Sequence, residues 1–291
     1  MNFFKNNHNL SSSLEAKDST ITIEEIFYLI YPRTPKGNVQ ATLETIQAKK
    51  ILCLSDTNDY YIDDNDQSNS IAHEFSKQCA KLPIEIIQAD NYDISSDENY
   101  EKGSYLKSLL PQPQGSPRRE YAIINNSEFK ASNSPKESHD LILGRSLLCC
   151  CDGSDHSCGG IENNHKAQAD FLGYLLNCNP KLAVITSNGL SEAQSLPNYR
   201  KTKEELIKAC DFLAKINPHY EFLFVDNFIG LKPGFQKDKS DSEKSTPKLE
   251  NGHAVIMVRR DTNLKITHLP ETIISFETST EVPKLTRNVS G

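Results

Sequence analysis

No apolar run in this chain approaches the roughly 20 residues needed to cross a bilayer. Its longest apolar stretches, such as Ile26–Tyr31 and Leu182–Ile185, have the length of buried elements. Met1–Ser19 offers one early Lys and then Asn and Ser, without the apolar core of a secretory signal. With no such signal, the eight cysteines read as reduced thiols or metal ligands rather than a disulfide framework. The expected location is therefore the cytoplasm, although a protein exported into another cell's cytosol by a dedicated machine would read the same. No excess of positive charge is present either: the net charge is -7 and the pI near 5.7. That argues against a nonspecific nucleic-acid binder, whose affinity comes from clustered Lys and Arg, and leaves room only for a local basic groove. There is no internal repeat, no phosphate-cradling P-loop and no pair of catalytic carboxylates. No Ser-His-Asp arrangement shows either, though triad partners need not be local.

What is present is an ordinary globular composition, 37% hydrophobic and 24% charged, in 291 residues. That length holds one large domain or two small ones, and the mean hydropathy of -0.54 is assigned to polar loops. Residues 1–20 read as a disordered tail. Residues 21–48 read as a helical extension, opened by the capping-box pair Thr22 and Glu25 and broken by Pro32, Pro35 and Gly37. From residue 49, short apolar runs alternate with helix-length segments. The runs are Ile51–Leu54, Ile84–Ile87, Tyr121–Ile124, Leu141–Leu143, Leu182–Ile185, Phe222–Val225 and Ala254–Val258. Thr202 and Glu205 have a second capping-box spacing, which places a helix start there. Lys237–Glu250 is too poor in apolar residues to pack and reads as a mobile loop. Residues 271–291 form a C-terminal tail, with one further strand expected at Ile273–Phe276.

Strands separated by helices imply right-handed crossovers and a parallel sheet covered on both faces. The last two strands follow one another without a helix, which implies an antiparallel hairpin. The expected fold is α/β: a Rossmann-like, doubly wound, mostly parallel seven-stranded sheet with a C-terminal antiparallel hairpin, over residues 49–270.

This layout resembles the class I S-adenosylmethionine-dependent methyltransferases. Locally, His139–Leu148 is similar to that family's fourth-strand segment, where an Asp opens an apolar strand. The run Lys181–Ile185, the capped helix and Tyr220–Val225 resemble its last elements. The resemblance covers roughly residues 49–260. It departs from the family after the first strand, where Leu54–Asp59 contains no glycine to admit a cofactor closely. Asn and Asp tolerate left-handed backbone angles, so the turn itself can form. The resemblance implies S-adenosylmethionine as cofactor. It places Ser55, Asp56, Asp90, Asn125 and Gly144 at the cofactor, with Asp90 accepting from both ribose hydroxyls and Asn125 near the adenine. A solvated turn residue is the alternative for Asp90 and Asn125.

Cys149, Cys150, Cys151, His156 and Cys158 crowd one loop with Asp152 and Asp155. Thiolates and an imidazole suit zinc, but adjacent cysteines on an extended chain point to opposite sides and no CxxC pair exists here. Packed thiols are the favoured reading, with no metal assigned. Arg145, Cys150 and His156 are the catalytic candidates around an acceptor, because their segment follows the fourth strand at the carboxyl edge. His165 and His219 sit beside polar neighbours and read as surface residues. The function expected is methyl transfer to an unidentified small-molecule or protein acceptor, without membrane or nucleic-acid partners. The alternative is a catalytically inactive methyltransferase-like binding or regulatory module.

Overall fold

The computed structural model describes residues 19–54 (without 33, 35 and 36), 71–90 (without 80), 118–123, 130–148 (without 134 and 136), 161–187 (without 162), 196–232, 248–267 and 273–276. The chain enters through β1 (Ser19–Thr22) and turns directly into α1 (Ile23–Ile30). The expected capping box is formed: Thr22 Oγ1 accepts from the Glu25 amide at 3.1 Å, and the Thr22 amide donates to Glu25 Oε2 at 2.7 Å. Asn38 caps α2 (Val39–Ile46) through the Ala41 amide. Then come β2 (Lys50–Leu54), α3 (Ile71–Gln78), β3 (Glu85–Asp90) and β4 (Arg118–Ile123). They are followed by β5 (Leu141–Leu148), α4 (His165–Asn177), β6 (Leu182–Ser187) and α5 (Leu196–Ile216). The long hairpin of β7 (Tyr220–Lys232) and β8 (Lys248–Arg259) leads to β9 (Leu264–Thr267) and β10 (Ile273–Ser275). Among the described residues no helix is long and apolar enough to cross a membrane.

Among the boundaries that differ from expectation, two move residues into strands. Ser19 and Thr20, placed in a tail, belong to β1, which pairs in parallel with β9 from Ser19–Leu264 to Thr22–Thr267. Lys248, Leu249 and Glu250, placed in a mobile loop, pair with Lys232, Leu231 and Gly230 of β7. Backbone pairing across the hairpin orders them without needing an apolar sequence. Tyr100–Leu110, which reads from its sequence as a weaker helix, lies outside the described residues.

Among the described residues the main sheet has eight strands in the order β10-β7-β8-β6-β5-β2-β3-β4, one more than the seven expected, because β10 adds to β7 at the edge. Pairing is parallel from β4 through β6. β8 runs antiparallel to both β6 and β7, the hairpin anticipated from the missing helix. The chain leaves β2 for β3 and β4 on one side and then crosses to β5 on the other. The switch point therefore lies between β2 and β5.

Side chains alternate across the sheet as strand geometry requires. On one face Ile51, Cys53, Leu141, Leu143, Val184, Val225 and Ile256 pack under α1, α2 and α3. On the other, Leu52, Ile142, Ala183, Ile185, Phe222, Phe224, Val255 and Met257 pack under α4 and α5. Burying a large apolar side chain contributes about 1.5–3 kcal/mol, so both layers are needed to hold a sheet this wide. β7 carries one extra residue between the pairs Val225–Ala254 and Phe228–Gly252. This bulge returns Phe228 to the first face, where its ring lies 5.7 Å from Phe27 of α1.

Candidate functional site

In an open α/β sheet the carboxyl ends of the parallel strands frame the ligand crevice. Here Leu54 pairs with Ala89 on one side and with Gly144 on the other. The ends of β2 and β3 and the middle of β5 are thus level. Asp90 closes β3 opposite Ile123 of β4. Ser55, Asp56, Asn125, Cys150 and His156, and with them the cysteine cluster, lie outside the described residues. Among the described residues no group of three or more His, Cys, Asp or Glu is placed to hold a metal.

Gly144 and Arg145 sit inside β5 rather than in a loop after it. β5 carries two extra residues between the pairs Gly144–Ile185 and Leu148–Ser187. The detour brings Leu147 back over Gly144: a Cβ at Gly144 would lie 2.5 Å from Leu147 Cδ1 and 3.1 Å from Ile185 Cδ1. Arg145 is buried on the α1 side, its guanidinium carbon 5.9 Å from the centroid of the Tyr31 ring, a cation–π distance. Strand alternation explains the orientation, since Leu141 and Leu143 face that same side.

Beyond β5 the same edge gathers polar groups that no sequence motif marked. Ser187 ends β6 and its Oγ accepts the His253 amide at 2.8 Å. His253, fully buried midway along the reversed β8, has Nδ1 3.1 Å from Asp226 Oδ1 and its ring 5.3 Å from Phe224. The β7 bulge falls at Asp226 and sets its carboxylate toward α5, where Lys203 pairs with it. A serine, a histidine and an aspartate from three different strands thus meet although they are not adjacent in sequence. The available signal was the hairpin register: pairing Val225 with Ala254 makes Asp226 and His253 neighbours.

The groups whose pKa values shift serve the scaffold. Asp140, the Asp that opens β5, lies at the amino edge, opposite the crevice. Burial raises its pKa, but the Lys49 and Lys50 amides (2.9 and 3.1 Å) and the Lys181 ammonium (3.2 Å) outweigh it, and the net shift is downward. Beside it, burial and then Lys50 lower the His139 pKa to about 4. The thiols of Cys79 and Cys178 are pushed up to about 12, chiefly by burial, which leaves them protonated and inert. His165 is exposed and, like the backbone amide at the start of α4, engages Glu205.

No protein-family profile matches the chain, and no curated protein matches it in sequence. Among solved structures it is similar to an O-methyltransferase from Bacillus cereus in complex with SAH, at 11% identity over 76% of this chain and 79% of that one, with a TM-score of 0.40. It is also similar to a cyclopropane-fatty-acyl-phospholipid synthase-like protein from Lactobacillus casei, at 11% identity over 81% and 98%, with a TM-score of 0.41. Spermidine synthase from Thermotoga maritima matches at 10% identity over 73% and 53%, with a TM-score of 0.34. By its own strand order, with one reversed strand set between two that run the other way, the chain has the Rossmann-like α/β sheet with an antiparallel hairpin that its sequence led us to expect.

Proposed function

We propose that this chain is an S-adenosylmethionine-dependent methyltransferase, with the cofactor at the carboxyl ends of β2 and β3 and the acceptor beyond β5 and β6. The observation that carries the reading is the switch point between β2 and β5, where Leu54, Ala89 and Gly144 lie level and Asp90 closes β3. The donor set suits the cofactor. Under this reading the carboxylate of Asp90, at the end of β3, would accept from both ribose hydroxyls; Ser55, Asp56 and Asn125, the other cofactor candidates, lie outside the described residues. Gly144 fits less well, because Leu147 fills the space a ligand would use. When bound, S-adenosylmethionine supplies an electrophilic methyl group. The chain's own residues then hold it and the acceptor in line and exclude water. Cys150 and His156 are the acceptor-side candidates. Arg145, stacked on Tyr31, acts as a positioning group in the β5 wall.

Thermal-shift titration of variants with S-adenosylhomocysteine tests this placement. Asp90→Ala is expected to weaken binding by about 1.5–3 kcal/mol, the range for hydrogen bonds to a charged acceptor. Asp56→Gly is expected to strengthen it by removing a side chain and a negative charge. Unchanged affinity in both variants, with binding intact, moves the site elsewhere on the molecule. No shift in the wild type removes the enzyme reading and leaves a binding module on the same fold.

A further inference from the structure

The layer between the sheet and helices α4 and α5 is apolar along most of its length and polar at one end. On α4 a fully buried stripe runs Leu175, Leu172, Phe171 and then Gln168. On α5 a buried stripe runs Leu213, Cys210, Leu206 and then Thr202, the last fully buried. On the strands the same face reads Ala183, Ile185, Ser187 on β6 and Phe222, Phe224, Asp226 on β7. On the reversed β8 it reads Met257, Val255, His253. All five elements exchange apolar for polar at the same end, the carboxyl edge. Crossover helices begin there, so the first turns of α4 and α5 belong to it. Ile161, just ahead of α4, confirms the placement by bridging to Leu148 at the end of β5.

Within this end Gln168 is fully buried, and among the described residues neither its Oε1 nor its Nε2 has a hydrogen-bond partner. An amide buried without partners is costly, because it gives up its hydrogen bonds to water and regains none. It persists where something else pairs with it, and an amide offers one donor and one acceptor to a neutral group. Charge points the same way. Asp226 is matched by Lys203, so the cluster offers no uncompensated charge to attract an ion. We propose that this polar end is a ligand subsite for a neutral, hydroxyl-bearing group on an apolar body, with Gln168 as its hydrogen-bond partner and the His253–Asp226 pair as its second wall. Under the methyltransferase reading, on which only the word acceptor rests, this ligand is the acceptor.

Phenol, benzoate and benzylamine are suitable probes, since they share a body and differ in charge. Side-chain nitrogen NMR on the full chain reads the Gln168 amide and the His253 ring directly. Phenol is expected to shift both signals, and the two ions to shift neither at equal concentration. Gln168→Met is expected to keep or raise the melting temperature, because the unpaired amide is gone, and to abolish the phenol shift at His253. No phenol shift, equal shifts from the ions, or a phenol shift that survives in Gln168→Met overturns the proposal. A calorimetric titration with S-adenosylmethionine separates the two readings. Phenol binding without cofactor binding keeps the subsite and discards the methyltransferase, and the reverse keeps the methyltransferase and discards the subsite.

Discussion

Asp140 shows how one side chain holds three strands together. Its carboxylate accepts from the amides of Lys49 and Lys50 ahead of and within β2, pairs with Lys181 ahead of β6, and itself opens β5. Replacing it with alanine leaves two amides and an ammonium without their shared acceptor. The expected loss is about 1.5–3 kcal/mol, read from urea unfolding. The folded pKa lies below the unfolded one, so this contribution is present above the ordinary carboxylate pKa and is lost as pH falls through the folded value. His139 acts in the same pH direction for another reason. Its pKa falls from 6.5 to about 4 on folding, chiefly through burial, so the unfolded chain takes up the proton first. Stability is therefore lost between those two values, on the order of 3 kcal/mol from this residue. His139→Leu should flatten that part of the stability profile. A variant as pH-sensitive as the wild type between pH 6.5 and 4 would contradict the assignment. The Asp opening the fourth strand was legible as a family feature. Its role as a clamp was not, because its partners lie about 90 residues back and 40 residues on.

At the scale of elements, what could be read locally was read and what depended on distant partners was not. The Thr22–Glu25 box formed as its spacing requires. The same spacing at Thr202 and Glu205 misled, since α5 already begins at Leu196 and Thr202 is buried inside it. Glu205 instead serves α4, accepting from the His165 amide at 2.7 Å. Spacing alone cannot tell which helix will claim a carboxylate. The bulge in β7 was likewise invisible, although the hairpin register alone, pairing Val225 with Ala254, would have set Asp226 beside His253. The N-terminal strand gives the clearest test. Ile21 is fully buried beneath a ladder to β9, so the segment ahead of the sheet is part of the core. Ile21→Ala is expected to destabilise the whole molecule by about 2–5 kcal/mol, the usual range for an aliphatic core truncation. A change below about 0.5 kcal/mol, the size seen at surface positions, would return the segment to the status of an appendage.

At the scale of the whole molecule, the order of apolar runs and helix-length gaps carried most of the fold. A missing helix before the last strand was enough to imply β8 reversed, and it is reversed between β6 and β7. The eighth strand was anticipated only as an extra run near the C-terminus, since three residues gain a place in the sheet through β7 rather than through their own sequence. The candidate site was half legible. Asp90 falls at the end of β3 as read, but Arg145 was placed in a loop when β5 continues through it. The polar end beneath α4 and α5 comes from five elements and has no signature in any one of them. The central claim is that the crevice at the β2–β5 switch point takes S-adenosylmethionine despite a first loop without glycine. Isothermal titration calorimetry of the full chain with S-adenosylmethionine and S-adenosylhomocysteine tests it most directly. The account predicts saturable heat from both, one site per chain, weakened in Asp90→Ala. No heat from either ligand with the folded protein would contradict it.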